Sequence, residues 1–318
     1  MVWTGLRRVD ASPHLLQVIR MLSPRGRVLL RAARPRQWTK NVLVLAAPLT
    51  AGNLDQPSAL GRSLTAMALF TAASIGIYLV NDVVDADADR AHPTKAHRPV
   101  ATGELSSPLA LGVAVALVGL ALLGAGLLSG MALLGVLGAY VAVALSYSFG
   151  LKRVAVVELA CVASGFVLRA VAGGAATHIA ISPWFLGVGS AGALVVVAGK
   201  RSAELSLLGE EGGNHRAVLA QYRESFLFFV RVVAATVALT EYGLWAFARA
   251  SSLDGGLRDP QAALVRLSII PFSLALLMVE LAIERGDGGA PEQLVLSSRP
   301  IQVLGVACVA LVAIGIYT

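Results

Sequence analysis

Residues 63–99 read SLTAMALFTAASIGIYLVNDVVDADADRAHPTKAHRP. The run Ser63–Val80 is strongly apolar, and a dense cluster of carboxylates and cations follows it at once. A helix continuing through the cluster at about 100° per residue places Asp82, Asp85 and Asp89 within roughly 60° of one another. Asn81 flanks them and Asp87 points the other way. Three carboxylates on one face repel each other and gain nothing by packing. A hard divalent cation, Mg²⁺ with Mn²⁺ able to substitute, bridging to a diphosphate would give them a resting state. Lys95 and Arg98 come directly after, as a phosphate site needs. The plainer alternative is a solvated acidic loop that merely ends a helix.

The apolar run is one of many. The 318 residues are 56% hydrophobic and only 14% charged, with a mean hydropathy of +0.73, far from the roughly 25% charge of soluble domains. Nine apolar stretches stand out, at 41–54, 59–80, 107–128, 130–148, 154–173, 181–199, 222–248, 261–283 and 300–317. Most reach the roughly 20 residues that cross a bilayer core; the first is short and broken by Pro48. None alternates with period two, so an all-α, polytopic membrane bundle of about nine helices is expected. Glycines spaced as in Gly124–Gly126 and Gly187–Gly189–Gly192 would favour close helix packing. The apolar runs give one membrane domain, 34–318, preceded by a basic segment, 1–33. In that segment arginines such as Arg20, Arg27 and Arg31 interleave with Leu15, Leu22 and Leu29, which suits a helix lying on anionic phospholipid headgroups. A Gly-rich connector is expected at 284–292.

Charge sets an orientation. With the N-terminus inside, twenty of the 26 Lys and Arg fall at inside ends of the helices. Arg62, Arg249, Arg258 and Arg266 lie at outside ends, and Arg169 and Arg231 lie within helices. The positive-inside rule therefore favours N-in, C-out, in the plasma membrane, with the acidic cluster facing the cytosol. The net charge of +7 is accounted for by this bias and calls for no nucleic acid. Cys161 and Cys308 both fall in apolar stretches, so neither a structural disulfide nor a thiolate metal site is expected. His92, His97 and His215 show no zinc spacing.

Three further groups of residues could meet the acidic cluster. Arg34-Pro35-Arg36-Gln37-Trp38-Thr39-Lys40-Asn41 opens the first stretch; Trp38 suits an interfacial anchor, and Lys40 could instead reach a phosphate. Tyr147 and Lys152 lie at the inside end of the fourth stretch, where Lys152 could equally be a topology marker. Lys200-Arg201-Ser202-Ala203-Glu204 follows the sixth, four helices after the acidic motif; Lys200 and Glu204 are spaced for an i,i+4 pair. Two polar loops four helices apart suggest paired four-helix units around one site, with the last helix an addition. Arg169 lies deeper, where an arginine costs about 2.5–3.5 kcal/mol on insertion scales and must find a partner. A lipid phosphate, Glu241 or Glu280 could supply it, while Glu158, eleven residues away along the helix, is too far.

Asn81-Asp82-Val83-Val84-Asp85-Ala86-Asp87-Ala88-Asp89 resembles the NDxxDxxxD signature of the UbiA superfamily of intramembrane prenyltransferases. The resemblance implies a nine-helix bundle that binds a diphosphate through Mg²⁺, with Asp82, Asp85 and Asp89 as metal-holding and catalytic residues. It is closer to one branch, the decaprenyl-phosphate phosphoribosyltransferases, at 34–49, at 78–99, at SGFVLRAVAGG (164–174), at GKRSAEL (199–205) and at YGLWAF (242–247). The chain departs from the typical superfamily pattern at KRSAE, where a second acidic motif, DxxxD, is usual and only Glu204 remains.

The loss of acids in favour of cations fits a donor with an additional phosphate, such as phosphoribosyl pyrophosphate (PRPP). What the branch implies is Mg²⁺-dependent transfer of 5-phosphoribose from PRPP to a polyprenyl phosphate, releasing diphosphate and feeding arabinan synthesis in the cell wall. Asn81, Lys40, Lys95, Arg98, Tyr147, Lys152, Arg169, Lys200, Arg201 and Glu204 are then the expected substrate-binding residues, and a homo-oligomer is compatible with the bundle. Two alternatives stay open: a prenyl transfer from a prenyl diphosphate to an aromatic or related acceptor, and a transporter, since charges inside a bundle also mark ion pathways.

Overall fold

The computed structural model describes residues 23–91, 95–208, 218–252, 259–286, 294 and 298–317. His92, His215 and most of the expected connector lie outside the described residues, as does the basic segment up to residue 22. Every regular element among the described residues is helical. The long ones are α3 (Pro57–Val84), α5 (Ser107–Ser129), α6 (Met131–Phe149), α7 (Val157–Thr177), α8 (Pro183–Leu208) and α9 (Glu224–Ser251). They are followed by α10 (Pro260–Leu267) with α11 (Ile269–Glu284), and by α12 (Arg299–Tyr317). Shorter ones are α1 (Pro24–Ala33), α2 (Ala46–Thr50) and α4 (Ala86–Arg90). Taking α10 and α11 as one span, eight of these are long and apolar enough to cross a membrane. Leu123, Leu127, Val303 and Val306 stand on their outer faces, as lipid-facing residues do.

The first expected span takes a different form. Residues Pro35–Leu45 are a 3₁₀ helix, and only Ala46–Thr50 are α-helical. A 3₁₀ rise of about 2.0 Å per residue followed by one α turn still carries the chain roughly 30 Å. The contacts show that it runs from one end of the bundle to the other. Arg34, at one end, pairs with Asp82, while the Leu49 carbonyl, at the other, accepts from the Tyr317 hydroxyl at 3.2 Å. The segment is seated on α7 at Gly173, where a Cβ would run into the Val44 carbonyl and Pro48. Close packing elsewhere is uneven. A Cβ at Gly76 would lie 2.9 Å from the Ala114 carbonyl of α5, and one at Gly124 would meet Leu69, but Gly189 and Gly192 open on empty space.

Sequential helices pack as neighbours: α3 with α5, α6 with α7, α7 with α8, and most extensively α8 with α9. The last helix is built into the bundle, since α12 packs on α10, α11 and the first crossing. A core of Phe70, Leu133, Leu137 and Tyr140 fills the first half. A second apolar cluster of Ala32, Leu79, Ala86, Val100 and Leu105 supports the acidic motif from below. Ala32 belongs to α1, so residues 24–33 pack on the transmembrane unit and the boundary expected at 33/34 separates two parts of one packed body.

Candidate functional site

Helix α3 ends within the acidic motif. Asp85 is its C-cap, with φ −97° and ψ 6°, and α4 restarts one residue later. The bend keeps the expected faces. Asp82 and Asp89 are buried and Asp85 half-buried, whereas the Asp87 side chain is 97% exposed and pairs with Arg90. The polypeptide after α4 then folds back over the motif. Val100 and Leu105 anchor it in the apolar cluster, the Arg90 Nε donates to the Ala101 carbonyl at 3.1 Å, and the backbone N–H of Leu105 bonds the Pro99 carbonyl at 2.9 Å. This loop delivers Arg98.

Four elements thus bring their charges to one end of the bundle. Arg98 Nη1 donates to Asp82 Oδ1 at 3.0 Å and to Asp89 Oδ2 at 2.6 Å. Arg34 pairs with the same oxygen of Asp82, and Lys152, from the turn after α6, pairs with Asp85. Burial pulls the Arg34 guanidinium below its ordinary pKa, opposed by the attraction of Asp82. Among the described residues no three His, Cys, Asp or Glu side chains converge as a ready-made metal cage, because each aspartate is turned to a cation. The residues nonetheless fit a hard cation. Asp82 Oδ2 is buried with no hydrogen-bond partner, and the donor set is carboxylate oxygen, which Mg²⁺ prefers.

The remaining expected residues divide. Asn81 is half-buried, its carbonyl accepting from the Asp85 N–H at 2.9 Å. Lys95, Lys200 and Tyr147 are half-buried as well. Lys40 sits with its Nζ 5.7 Å from the centre of the Phe166 ring of α7. Arg201, by contrast, is fully committed elsewhere. Its Nε and Nη2 each donate at 2.7 Å to Glu158, and its Nη1 donates at 2.8 Å to Glu204. The pair is buried, with the two side chains 3% and 0% exposed, and it clamps α8 to α7. Glu204, expected as an i,i+4 partner of Lys200, also takes the i,i+3 cation Arg201.

Arg169 pairs with neither Glu241 nor Glu280. Its Nε donates to Asn41 Oδ1 at 2.7 Å, its Nη1 to the Gly165 carbonyl at 2.5 Å, and its Nη2 to Ser74 Oγ and Tyr140 Oη, each at 3.1 Å. It is a midspan knot joining the first crossing, α3, α6 and α7. Glu280 belongs instead to Arg231, which is 1% exposed and also pairs with Glu284 and donates to Ser202 at 2.8 Å. This knot, unassigned from sequence, ties α8, α9 and α11 together. The site residue missed from sequence is Arg34. Its signal was present in RPRQWTKN, but nothing in the string shows that a left-handed turn (φ 52°, ψ 63°) at the end of α1 aims it at Asp82.

Comparison with known proteins gives the family. Residues 42–200 match the UbiA prenyltransferase family. A protein of Corynebacterium glutamicum named decaprenyl-phosphate phosphoribosyltransferase is 42% identical over 295 residues, 91% of this chain and 86% of its own length. A protein of the same name from Mycobacterium tuberculosis is 43% identical over 293 residues, 91% of this chain and 94% of its own. Among solved structures, a UbiA homologue from Archaeoglobus fulgidus bound to GPP and Mg²⁺ superposes with a TM-score of 0.66 at 16% identity, over 91% of this chain and 99% of that one. A helical bundle with an aspartate-lined end, matched in fold by one set of proteins and in sequence by another, has a single reading: the chain belongs to the UbiA prenyltransferase family.

Proposed function

We propose that the chain transfers 5-phosphoribose from PRPP to a polyprenyl phosphate such as decaprenyl phosphate and releases diphosphate, as the names of its relatives imply. The carrying observation is the end of the bundle where Asp82, Asp85 and Asp89 meet Arg34, Arg98 and Lys152. Asp82, Asp85 and Asp89 would hold Mg²⁺, which when bound neutralises charge on the leaving diphosphate. A phosphate oxygen of the lipid forms the new bond to C1 of the ribose while the bond from C1 to the diphosphate breaks, the electron pair leaving with the diphosphate. The attacking oxygen is already anionic, so no protein base or nucleophile is required. The chain's contribution is electrostatic and positional.

Arg34, Arg98 and Lys152 pair with the aspartates and would turn from carboxylate to phosphate, and Lys40, Lys95 and Lys200 would add to the positive charge offered to the donor. Arg201 and Glu204 act by holding α8, and Arg169 with Asn41 by fixing the first crossing. The positive-inside bias supports a cytosolic setting for this end, where PRPP is made; the membrane would be the plasma membrane, and the product would supply a cell-wall arabinan precursor.

A second reading, prenyl transfer from a prenyl diphosphate, is favoured by the diphosphate-bound fold relative. Against it, the loop that carries a second acidic motif in such enzymes has only Glu204, already bonded to Arg201. Incubation of purified protein with polyprenyl phosphate, Mg²⁺ and either labelled PRPP or labelled prenyl diphosphate separates the two. Label is expected in the lipid from PRPP alone; transfer from the prenyl donor would reverse the assignment.

A further inference from the structure

At the end of the bundle away from the aspartates, two cavities meet. One, of about 280 Å³, lies between the end of the first crossing, the turn Ile179–Ser182 and Arg249. The other, of about 160 Å³, is apolar and runs between Leu49, Val188, Tyr242, Cys308 and Val309. Thr50, Phe185 and Trp245 line both, so the two form one recess with a polar mouth and an apolar arm.

Arg249 is the one charged residue of the lining. Among the described residues no carboxylate pairs with it. Its Nη1 donates to Ser252 Oγ at 3.1 Å, and its Nε is buried without a partner. A buried guanidinium nitrogen with no acceptor is costly, and an anion in the mouth would relieve it. Thr50 and Ser182 line the same space, and α8 starts beside it at Pro183. Depth points to the ligand. Helix α9 has 28 residues and Arg249 lies two before its end. A helix of that length spans about 42 Å, the thickness of a bilayer with its headgroups, so Arg249 sits at headgroup level.

We propose that this recess seats an anionic glycerophospholipid of the leaflet at that end, its phosphate on Arg249 and the start of one acyl chain in the apolar arm. That lipid bathes the mouth continuously, whereas the phosphate of the reacting lipid has to reach the aspartates across the bundle. The bound lipid touches the first crossing, the α7–α8 turn, α9 and α12, and so bridges the two ends of the chain. The site is independent of which donor the acidic end uses.

The test is binding of phosphatidylglycerol and of phosphatidylcholine with the same acyl chains to the detergent-purified full chain, followed by native mass spectrometry. Phosphatidylglycerol is expected to bind more tightly. Arg249→Gln should raise its apparent dissociation constant about tenfold or more, while Arg62→Gln, an exposed charge at the same end, should leave it unchanged. Val309→Trp should fill the apolar arm and weaken binding with every charge in place, which keeps the test open if Arg249→Gln folds poorly. Equal binding of the two lipids, or wild-type phosphatidylglycerol binding in both Arg249→Gln and Val309→Trp, would overturn the proposal. So would a co-purified polyprenyl phosphate that phosphatidylglycerol does not displace, because the recess would then belong to the substrate lipid.

Discussion

At the scale of single residues, the four aspartates of the motif differ by direction alone. Asp82 and Asp89 are buried under Arg98, Asp85 meets Lys152, and Asp87 stands in solvent. Asp82→Asn or Asp85→Asn is therefore expected to abolish turnover and leave the purified protein folded, because each removes an anionic oxygen ligand. Asp87→Asn should remain near wild type. Turnover measured across a Mg²⁺ titration checks this, and activity of Asp82→Asn, or of the wild type in EDTA, would remove the metal assignment. The helical period made this sidedness legible from sequence, and it survives the break at Asp85 because α4 resumes the turn after a single residue. The role of Arg201 was not legible. Its partner Glu158 lies 43 residues away, and no local pattern pairs them. The two roles separate by experiment. Lys152→Ala should raise the KM for PRPP by about 10- to 150-fold, the loss of a charge-assisted contact worth about 1.5–3 kcal/mol, with little change in melting temperature. Glu158→Gln should instead cost about 3–5 kcal/mol of stability by leaving the Arg201 charge buried and less well paired, which a thermal melt would show; a stable Glu158→Gln protein with a selectively raised KM for PRPP would return Arg201 to the substrate.

Among the elements, the first crossing departs furthest from what its composition predicts. Eight expected spans became long helices because an uninterrupted apolar run leaves a helix as the way to satisfy its backbone in lipid. Pro35 and Pro48 and the polar Gln37, Thr39 and Asn41 weaken that rule for the ninth, and packing decides its form. Asn41 bonds Thr71 and Arg169, and the backbone at Val44 presses onto Gly173. No periodicity argument could have supplied those contacts. A side chain at Gly173 has to push the segment off α7. Gly173→Ala is thus expected to lower both the melting temperature and turnover, since Arg34 and Lys40 ride on the displaced piece. Gly119→Ala, which meets nothing within 4 Å, should be neutral in both assays. Equal behaviour of the two variants would mean that the close seat of the first crossing does not matter to the fold.

For the molecule as a whole, the decisive property is that every charge assigned to catalysis lies at one end. The acidic motif closes α3 and the Lys152 turn closes α6, while Gln56 and Ser252 mark the opposite end. Charge asymmetry in the sequence already pointed to this, because insertion reads Lys and Arg directly; the recess at Arg249 was invisible to the same count, since it is made where the first crossing, α9 and α12 meet. Single cysteines at Ala96, Arg153, Gln56 and Ser252, in a background lacking Cys161 and Cys308, turn the orientation into a measurement. A membrane-impermeant thiol reagent should label Ala96→Cys and Arg153→Cys only from the cytosolic side, and Gln56→Cys and Ser252→Cys only from outside. If all four patterns invert together, the bundle is right and PRPP would have to be used outside the cell, which makes the phosphoribosyl assignment untenable. If Ala96→Cys and Arg153→Cys label from opposite sides, the aspartates and Lys152 cannot share one diphosphate. The joined cluster of Asp85 and Lys152 would then have to be given up along with the mechanism built on it.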